Sequence, residues 1–195
     1  MSALAHTRHV LAENPVTGLS FALFGLLVLA AILGPSLVPH DPFASSDAAL
    51  AAPSAKHWFG TDNLGRDVFS RVVVATRLDL GMAFAAVALV FVTGTLAGVA
   101  AGFLGGWTDR VIGRVTDTIM AFPLFVLAMG LVAAAGNTVA NVVYATAIIN
   151  FPIYARVART EANIRREAGF VEAARLAGAS TGAVMLFEIV PNVLP

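Results

Sequence analysis

Residues 80–108 read LGMAFAAVALVFVTGTLAGVAAGFLGGWT, and no Asp, Glu, Lys or Arg occurs between Asp79 and Asp109. A helix needs about 20 apolar residues to cross the hydrocarbon core of a membrane. The stretch therefore predicts a transmembrane helix, which we place at residues 80–104.

A second uncharged stretch lies near the N-terminus, between Glu13 and Asp41, and predicts a first transmembrane helix at residues 19–39. A cleaved signal peptide is the alternative interpretation. The apolar run is longer than the core of a typical signal peptide, which has about 7–15 residues. We therefore expect an uncleaved helix.

A third uncharged stretch begins after Asp117 and is long enough for two helices. The dipeptide Gly136-Asn137, near its middle, is a turn signal. The two predicted spans are residues 118–135 and 138–155.

The composition also indicates a membrane protein. Of the 195 residues, 58% are hydrophobic and 12% are charged, whereas soluble domains carry about 25% charged residues. The net charge of zero indicates no nucleic-acid partner, and the lack of cysteine excludes disulfides and thiolate metal sites. We predict an all-α fold, a polytopic transmembrane helical bundle in which about five spans begin, the last at residues 183–195.

Basic residues predict the orientation, because cytoplasmic loops carry an excess of Lys and Arg. If the compartments alternate along the chain, one side holds eight of the basic residues and the other holds four. The side with eight is predicted to be cytoplasmic, and it comprises the N-terminal tail (residues 1–18), the connection that carries Arg110 and Arg114, and the segment 156–182. The loop at residues 40–79 is then extracytoplasmic, with an amphipathic helix from Asp67 to about Leu78.

The chain shows no energy source of its own. No ionisable residue lies deep in a predicted span, which argues against a proton- or ion-driven carrier. The only lysine is Lys56, and no phosphate-binding G-x-x-x-x-G-K-[ST] motif occurs. The histidines form no Ser/His/Asp pattern. We predict no catalytic residue and no cofactor in this chain, and a separate partner that hydrolyses ATP.

The outer loop contains the polar stretch HWFGTDNLGRD at residues 57–67. Metal ligation by His57, Asp62 and Asp67 is one interpretation. We favour turn and helix-cap chemistry, with Arg66 four residues after Asp62 for an ion pair. This structural role is assigned to Gly60, Asp62, Gly65, Arg66 and Asp67, and no metal is expected.

Small residues recur every four positions in the span at 80–104, at Gly94, Gly98 and Gly102. They share one helix face, and small residues allow two helix backbones to approach closely inside a membrane. We predict a helix-packing face, with the lining of a pathway as the alternative.

Residues 167–178 read EAGFVEAARLAG and predict a short helix that ends at Gly178. Glu172 can pair with Arg175, three residues later. Ala173, Ala174 and Ala177 keep one face of this helix thin.

Phe170 and Val171 form an apolar knob beside that thin face. A helix that sits in a groove of a partner uses both features, whereas a solvated cytoplasmic loop needs neither. We therefore predict a docking surface, with the solvated loop as the alternative.

Several motifs, spaced from about residue 10 to the end, resemble a known family. Glu172-Ala173-Ala174 with Gly178, ending in Pro191-Asn192, resembles the EAA loop of permease subunits of ABC importers. Other motifs resemble the peptide/nickel branch, and specifically its dipeptide/oligopeptide C-type permease. These motifs are Gly60-Thr61-Asp62, Gly65-Arg66-Asp67, Ser70-Arg71, GFLGGWTD at residues 102–109, Arg114-x-x-Asp117 and Pro123.

The resemblance implies a type I ABC importer in a bacterial cytoplasmic (inner) membrane. In such importers two homologous permeases form the pathway, two P-loop ATPases that carry ATP and Mg dock on the EAA helices, and an extracytoplasmic binding protein delivers the substrate. Glu172 to Gly178 would form the coupling helix, and Pro191 and Asn192 join the docking set. The family has six spans, so the chain is expected to be C-terminally incomplete.

The implied function is a non-enzymatic permease subunit for di- or oligopeptides, nickel or another small solute. The alternatives are a non-transporting membrane scaffold or truncated remnant, and a secondary carrier. The sequence does not distinguish among the solutes.

Overall fold

The computed structural model describes residues 14–193, and its regular elements are all helical. The predicted tail (1–18) and last segment (183–195) therefore lie partly outside the described residues. The helices are α1 (Pro15–Leu37), α2 (Val68–Leu104), α3 (Gly106–Met120), α4 (Leu124–Ala135), α5 (Val139–Arg165), α6 (Gly169–Leu176), α7 (Thr181–Ala183), a π-helical turn (Val184–Ile189) and α8 (Val190–Val193). The all-α prediction is confirmed. The described residues form two compact units, a first unit that ends at Gly81 and a second that begins at Met82.

The count of membrane spans differs from the prediction. Among the described residues, α1 and α2 are long and apolar enough to cross a membrane, and the pair α3 and α4, bent by 96°, counts as a third at most. The predicted span at 118–135 is broken because Pro123 disfavours a helical conformation in the residue before it. The predicted span at 138–155 forms part of α5, which contains Asn141, Asn150 and Pro152 and is not among the candidate spans.

Two other predicted boundaries also moved. The separate amphipathic helix from Asp67 and the span at 80–104 are one continuous helix, α2, because the intervening residues include no proline. The first span begins earlier than expected, at Pro15, where the side chain of Asn14 accepts hydrogen bonds from the Val16 and Thr17 amides. Such a cap stabilises the first turn of a helix.

In the first unit, Asp62 organises the turn at residues 62–66. Its side chain accepts hydrogen bonds from the Leu64 amide at 2.8 Å and the Arg66 amide at 3.0 Å. Arg66 Nε also donates to Asp62 Oδ2 at 2.8 Å, which is the pair expected from their spacing. Gly65 has a φ of 71°, and a side chain there would collide with the Ser46 backbone. Glycine is the residue that adopts this conformation without strain.

Asp67 links the loop to the start of α2. Its Oδ2 accepts a hydrogen bond from the Ser70 amide at 2.8 Å, which caps the helix, and its Oδ1 accepts one from His57 Nδ1 at 2.9 Å. Burial opposes ionisation of Asp67, but the Ser70 and His57 hydrogen bonds outweigh it and hold the pKa of this carboxyl below its usual value. Gly60, with a φ of 74°, accepts a hydrogen bond from the Val68 amide beside this cap.

In the second unit, the small-residue face of α2 packs against α5. A Cβ atom added to Gly94 would lie 2.7 Å from Tyr154 Cβ, and one added to Gly98 would lie 2.8 Å from Ala158 Cβ. At Gly102 the corresponding distance, to Ala162 Cβ, is 3.1 Å. The backbones of α2 and α5 are therefore so close that a side chain larger than the hydrogen of glycine does not fit between them. The partner of the glycine face is a helix of the same chain.

We expect Gly98→Leu to destabilise the protein by about 1–3 kcal/mol or more, because the added side chain has no space against α5. The measurement is thermal unfolding of the purified protein in detergent. Gly81→Leu is the matched control, since Gly81 is exposed on the same helix and an added Cβ there meets nothing within 4 Å. Equal melting of the two variants would contradict the packing argument.

We expect Asp67→Ala to cost about 0.5–2 kcal/mol, because it removes the cap of α2. Hydrogen exchange at the Ser70 amide should become faster in the variant and stay unchanged in Asp79→Ala, which alters an exposed carboxylate on the same helix.

A lowered pKa stabilises the folded state above the unfolded-state pKa of about 3.9, and that contribution is lost as the pH falls through the folded-state value. The difference between wild type and variant should therefore shrink in acid. A difference independent of pH would show that the carboxylate charge is not involved.

Candidate docking site

The predicted docking helix is α6, and its C-terminal end has a defined cap. The Gly178 amide donates to the Arg175 carbonyl and the Ala179 amide donates to the Ala174 carbonyl, both at 3.0 Å. These two bonds, with Gly178 at a φ of 87°, form a Schellman motif. The helix therefore ends at a fixed position.

One face of α6 is buried in the second unit. Val171 is completely buried and Ala174, three residues later, packs partly against the same cluster. Residues three apart lie on the same side of a helix. The cluster comprises Val99, Phe103, Ala158, Ala162, Val171, Val184 and Ile189. Residues of α2, α5 and the π-helical turn thus hold α6 in place.

Phe170 and Val171, the predicted apolar knob, point in different directions. The prediction that they form one apolar contact surface for a partner is therefore wrong. Val171 is directed into the protein's own core, while Phe170 is 40% exposed. Consecutive residues point about 100° apart on an α-helix because it has 3.6 residues per turn. Phe170 and Val171 therefore cannot both contact a partner along one line.

The outward face of α6 contains Glu172, Ala173 and Leu176, all of which are exposed. Leu176 is 83% exposed, a high value for a large apolar side chain on a short helix. Leu176 is not among the docking residues predicted from the sequence. Its position four residues after Glu172 places it on the same face and could have identified it.

Arg175 does not pair with Glu172 as predicted. Its guanidinium lies over the Phe103 ring, 5.4 Å from the centroid. A cation over an aromatic face is attracted by the ring quadrupole. Arg175 therefore fastens the flank of α6 to α2 and leaves the Glu172 carboxylate on the outward face without that partner.

Two ion pairs join α3 to the part of α5 that precedes α6. Arg159 Nη2 donates to Asp109 Oδ2 at 2.6 Å, and Arg156 Nη2 donates to Asp117 Oδ1 at 2.8 Å. Exposed pairs contribute little to stability, about 0–1 kcal/mol each. Their effect here is to orient α3 against α5. Sequence spacing did not predict them because the partners are 50 and 39 residues apart.

Pro191 and Asn192 lie in α8 and are exposed, whereas the neighbouring Val190 and Val193 pack against the Val171 cluster. The side chain of Asn192 donates to the Glu188 carbonyl at 2.7 Å. Pro191 has no amide hydrogen and so donates no hydrogen bond within the helix. The π-helical turn at Val184–Ile189, which is wider than an α-helical turn, directly precedes α8.

The chain matches two family models. Residues 94–195 match the binding-protein-dependent transport system inner membrane component, and residues 2–53 match the N-terminal TM domain of oligopeptide transport permease C. The first match includes α6 and the whole Val171 cluster.

Curated relatives carry names of the same kind. A probable D,D-dipeptide transport system permease protein of Escherichia coli (strain K12) is 40% identical over 187 residues, 95% of this chain and 63% of that protein. A dipeptide transport system permease protein of Alkalihalophilus pseudofirmus is 37% identical over 94% of this chain and 61% of its own length. A nickel transport system permease protein of Escherichia coli (strain K12) is 38% identical over 91% of this chain and 64% of its own. The chain thus spans less than two thirds of these relatives.

The resemblance inferred from the motifs is confirmed by these matches. The first family model covers more than half of the sequence, and the relatives align with nearly all of it. The chain belongs to the family of binding-protein-dependent transport system inner membrane components.

Proposed function

We propose that this chain is a permease subunit of an ATP-driven, binding-protein-dependent ABC importer, and that α6 docks a partner ATPase. The observation that supports the proposal is that α6 is fixed to the protein on one face and exposed on the other. Its inner face is anchored by Val171 and its C-terminus is capped at Gly178, while Glu172 and Leu176 face outward. A rigid helix with one unpartnered face can transmit a push from a partner, whereas a mobile loop cannot.

The proposed assembly contains a homologous permease, two P-loop ATPases that supply ATP and Mg, and an extracytoplasmic substrate-binding protein. The name of the matched family model supports the last partner. For the solute, we propose a di- or oligopeptide or a related small molecule, because two of the relatives described above carry dipeptide names. The chain itself is proposed to have no catalytic role.

A non-transporting scaffold is the competing function, and a secondary carrier is the weaker one. No ionisable side chain occurs in α1, or in the part of α2 that follows residue 79. The absence of such side chains from these two spans disfavours transport driven by an ion gradient. A scaffold would not need the outward face of α6 to respond to ATP hydrolysis. Substrate-stimulated ATP hydrolysis therefore separates the importer from both alternatives.

We expect Glu172→Ala and Leu176→Ala each to weaken retention of the ATPase by at least about tenfold, which corresponds to about 1.4 kcal/mol. Both residues are exposed on the outward face, so neither change removes a buried contact of the permease. Co-purification of the ATPase with the full-length permease, and substrate-stimulated ATP hydrolysis, are the measurements.

Leu37→Ala is the matched control, because Leu37 is 74% exposed at the end of α1. It should retain the ATPase at the wild-type level. Normal retention and uptake in both α6 variants would refute the docking role. Normal retention without stimulated hydrolysis in the wild-type assembly would favour the scaffold.

We also propose that the N-terminus and the α6 segment are cytoplasmic and that residues 40–79 are extracytoplasmic. Single cysteines can be placed at the exposed positions Ala55 and Ala179, since the sequence contains no cysteine. An impermeant thiol reagent applied outside intact cells should label Ala55→Cys and spare Ala179→Cys. The reverse labelling pattern would invert the proposed topology.

A further inference from the structure

Three potential metal ligands converge in the first unit, from separate parts of the sequence. His40 follows α1, His57 lies in the loop and Asp67 caps α2. One ligand atom from each lies within 4.8 Å of the others. His57 Nδ1 is 2.9 Å and His40 Nδ1 is 3.9 Å from the same oxygen, Asp67 Oδ1.

The hydrogen bonding of this cluster is incomplete. His40 Nδ1 is buried and has no hydrogen-bond partner, and such atoms are rare in folded proteins. The His40 and His57 rings are in contact, tilted by 32° to each other with centroids 4.7 Å apart. Ring stacking accounts for the position of His40 but leaves its Nδ1 unexplained. A cation between Asp67 and the two rings would satisfy it.

The surroundings favour a cation. Asp41 and Asp47 line the same recess as the three ligands, together with one cationic side chain, Lys56. The recess is therefore lined by three carboxyl groups and one amino group, an excess of acidic side chains. The recess is open on one side, so water can complete the coordination of an ion there.

The carboxylate is also held in a fixed orientation. Asp67 Oδ2 accepts the Ser70 amide at 2.8 Å, which leaves Oδ1 directed at the two imidazoles. Ser70 Oγ in turn accepts the His40 amide at 3.4 Å. Groups that orient metal ligands in this way strengthen binding.

We propose that His40, His57 and Asp67 form a binding site for a divalent transition-metal ion of the Zn²⁺ type, with water as the remaining ligand. Two imidazoles and one carboxylate are a common donor set for such ions. The ion takes the place of the proton on His57 Nδ1, and this proton moves by way of solvent to Nε2 of the same ring, so that a neutral imidazole ligates through Nδ1. Ligand atoms about 2.0–2.2 Å from a tetrahedral ion lie roughly 3.3 Å apart, so His40, the most exposed of the three, has to move by about 1 Å.

This proposal contradicts the expectation that the loop holds no metal, and it adds His40 to the residues considered. It does not depend on the proposed transport function, because every contact lies within the first unit. Turn and cap chemistry still explains Asp62 and Gly65. The metal site would add a further link between the end of α1, the loop and α2.

The test is a Zn²⁺ titration of the full-length permease, purified without a polyhistidine tag, against a chromophoric chelator. His6→Ala and His9→Ala are introduced first, since these are the other two histidines of the sequence. We expect one Zn²⁺ per chain, and a visible d–d absorption band when Co²⁺ is used instead.

His40→Phe keeps a flat ring against His57 and removes one ligand, and we expect it to weaken Zn²⁺ binding by at least tenfold. His57→Gln keeps a hydrogen-bond donor and should show the same loss. Asp47→Asn, in the recess but outside the ligand set, should change binding by less than about threefold. Melting in EDTA reports on folding. Zn²⁺ should raise the melting temperature of the parent protein and of Asp47→Asn, but not that of His40→Phe or His57→Gln.

If His40→Phe or His57→Gln bound Zn²⁺ with the affinity of the parent protein, the proposal would be overturned. An absence of saturable binding in the parent protein would also overturn it. Because neither measurement involves the ATPase or uptake, a failure here is distinct from a failure of the importer assignment.

Discussion

The second unit depends on the close approach of two helix backbones. Gly94, Gly98 and Gly102 of α2 lie against backbone and Cβ atoms of α5, at distances that exclude even one added methyl group. Inside a membrane, lipid provides no hydrophobic drive for helices to associate, so close packing of this kind must supply the contact. A larger residue at this interface would separate the two helices that enclose the Val171 cluster.

The position of α6 follows from that contact. Phe103 and Val99 on α2, and Ala158 and Ala162 on α5, are near enough to bury Val171 only because the helices touch. Phe103 also receives Arg175 on its ring face. An eight-residue helix has too few turns to be stable alone, and these tertiary contacts are what keep α6 helical and fixed. Its outward face is then a rigid surface rather than a flexible loop.

The first unit is organised by polar contacts instead. Asp62 and Asp67 each accept several hydrogen bonds, and both have lowered pKa values because these bonds outweigh the cost of burial. A loop without a large apolar core can be ordered in this way, since each buried polar group needs a partner. Among the described residues of this unit, His40 Nδ1 is the buried side-chain atom that lacks such a partner.

Local rules in the sequence determined the helical class, the first two spans, the turn at Asp62 and the cap at Gly178. Each of these depends on residues within a few positions of one another, where hydrophobicity, hydrogen-bond capacity and glycine conformation act directly. Tertiary structure alone decided that Val171 faces inward, that Arg175 meets Phe103, and that His40 approaches Asp67. Those partners are distant in sequence, so only the packing of whole helices and the path of the loop bring them together.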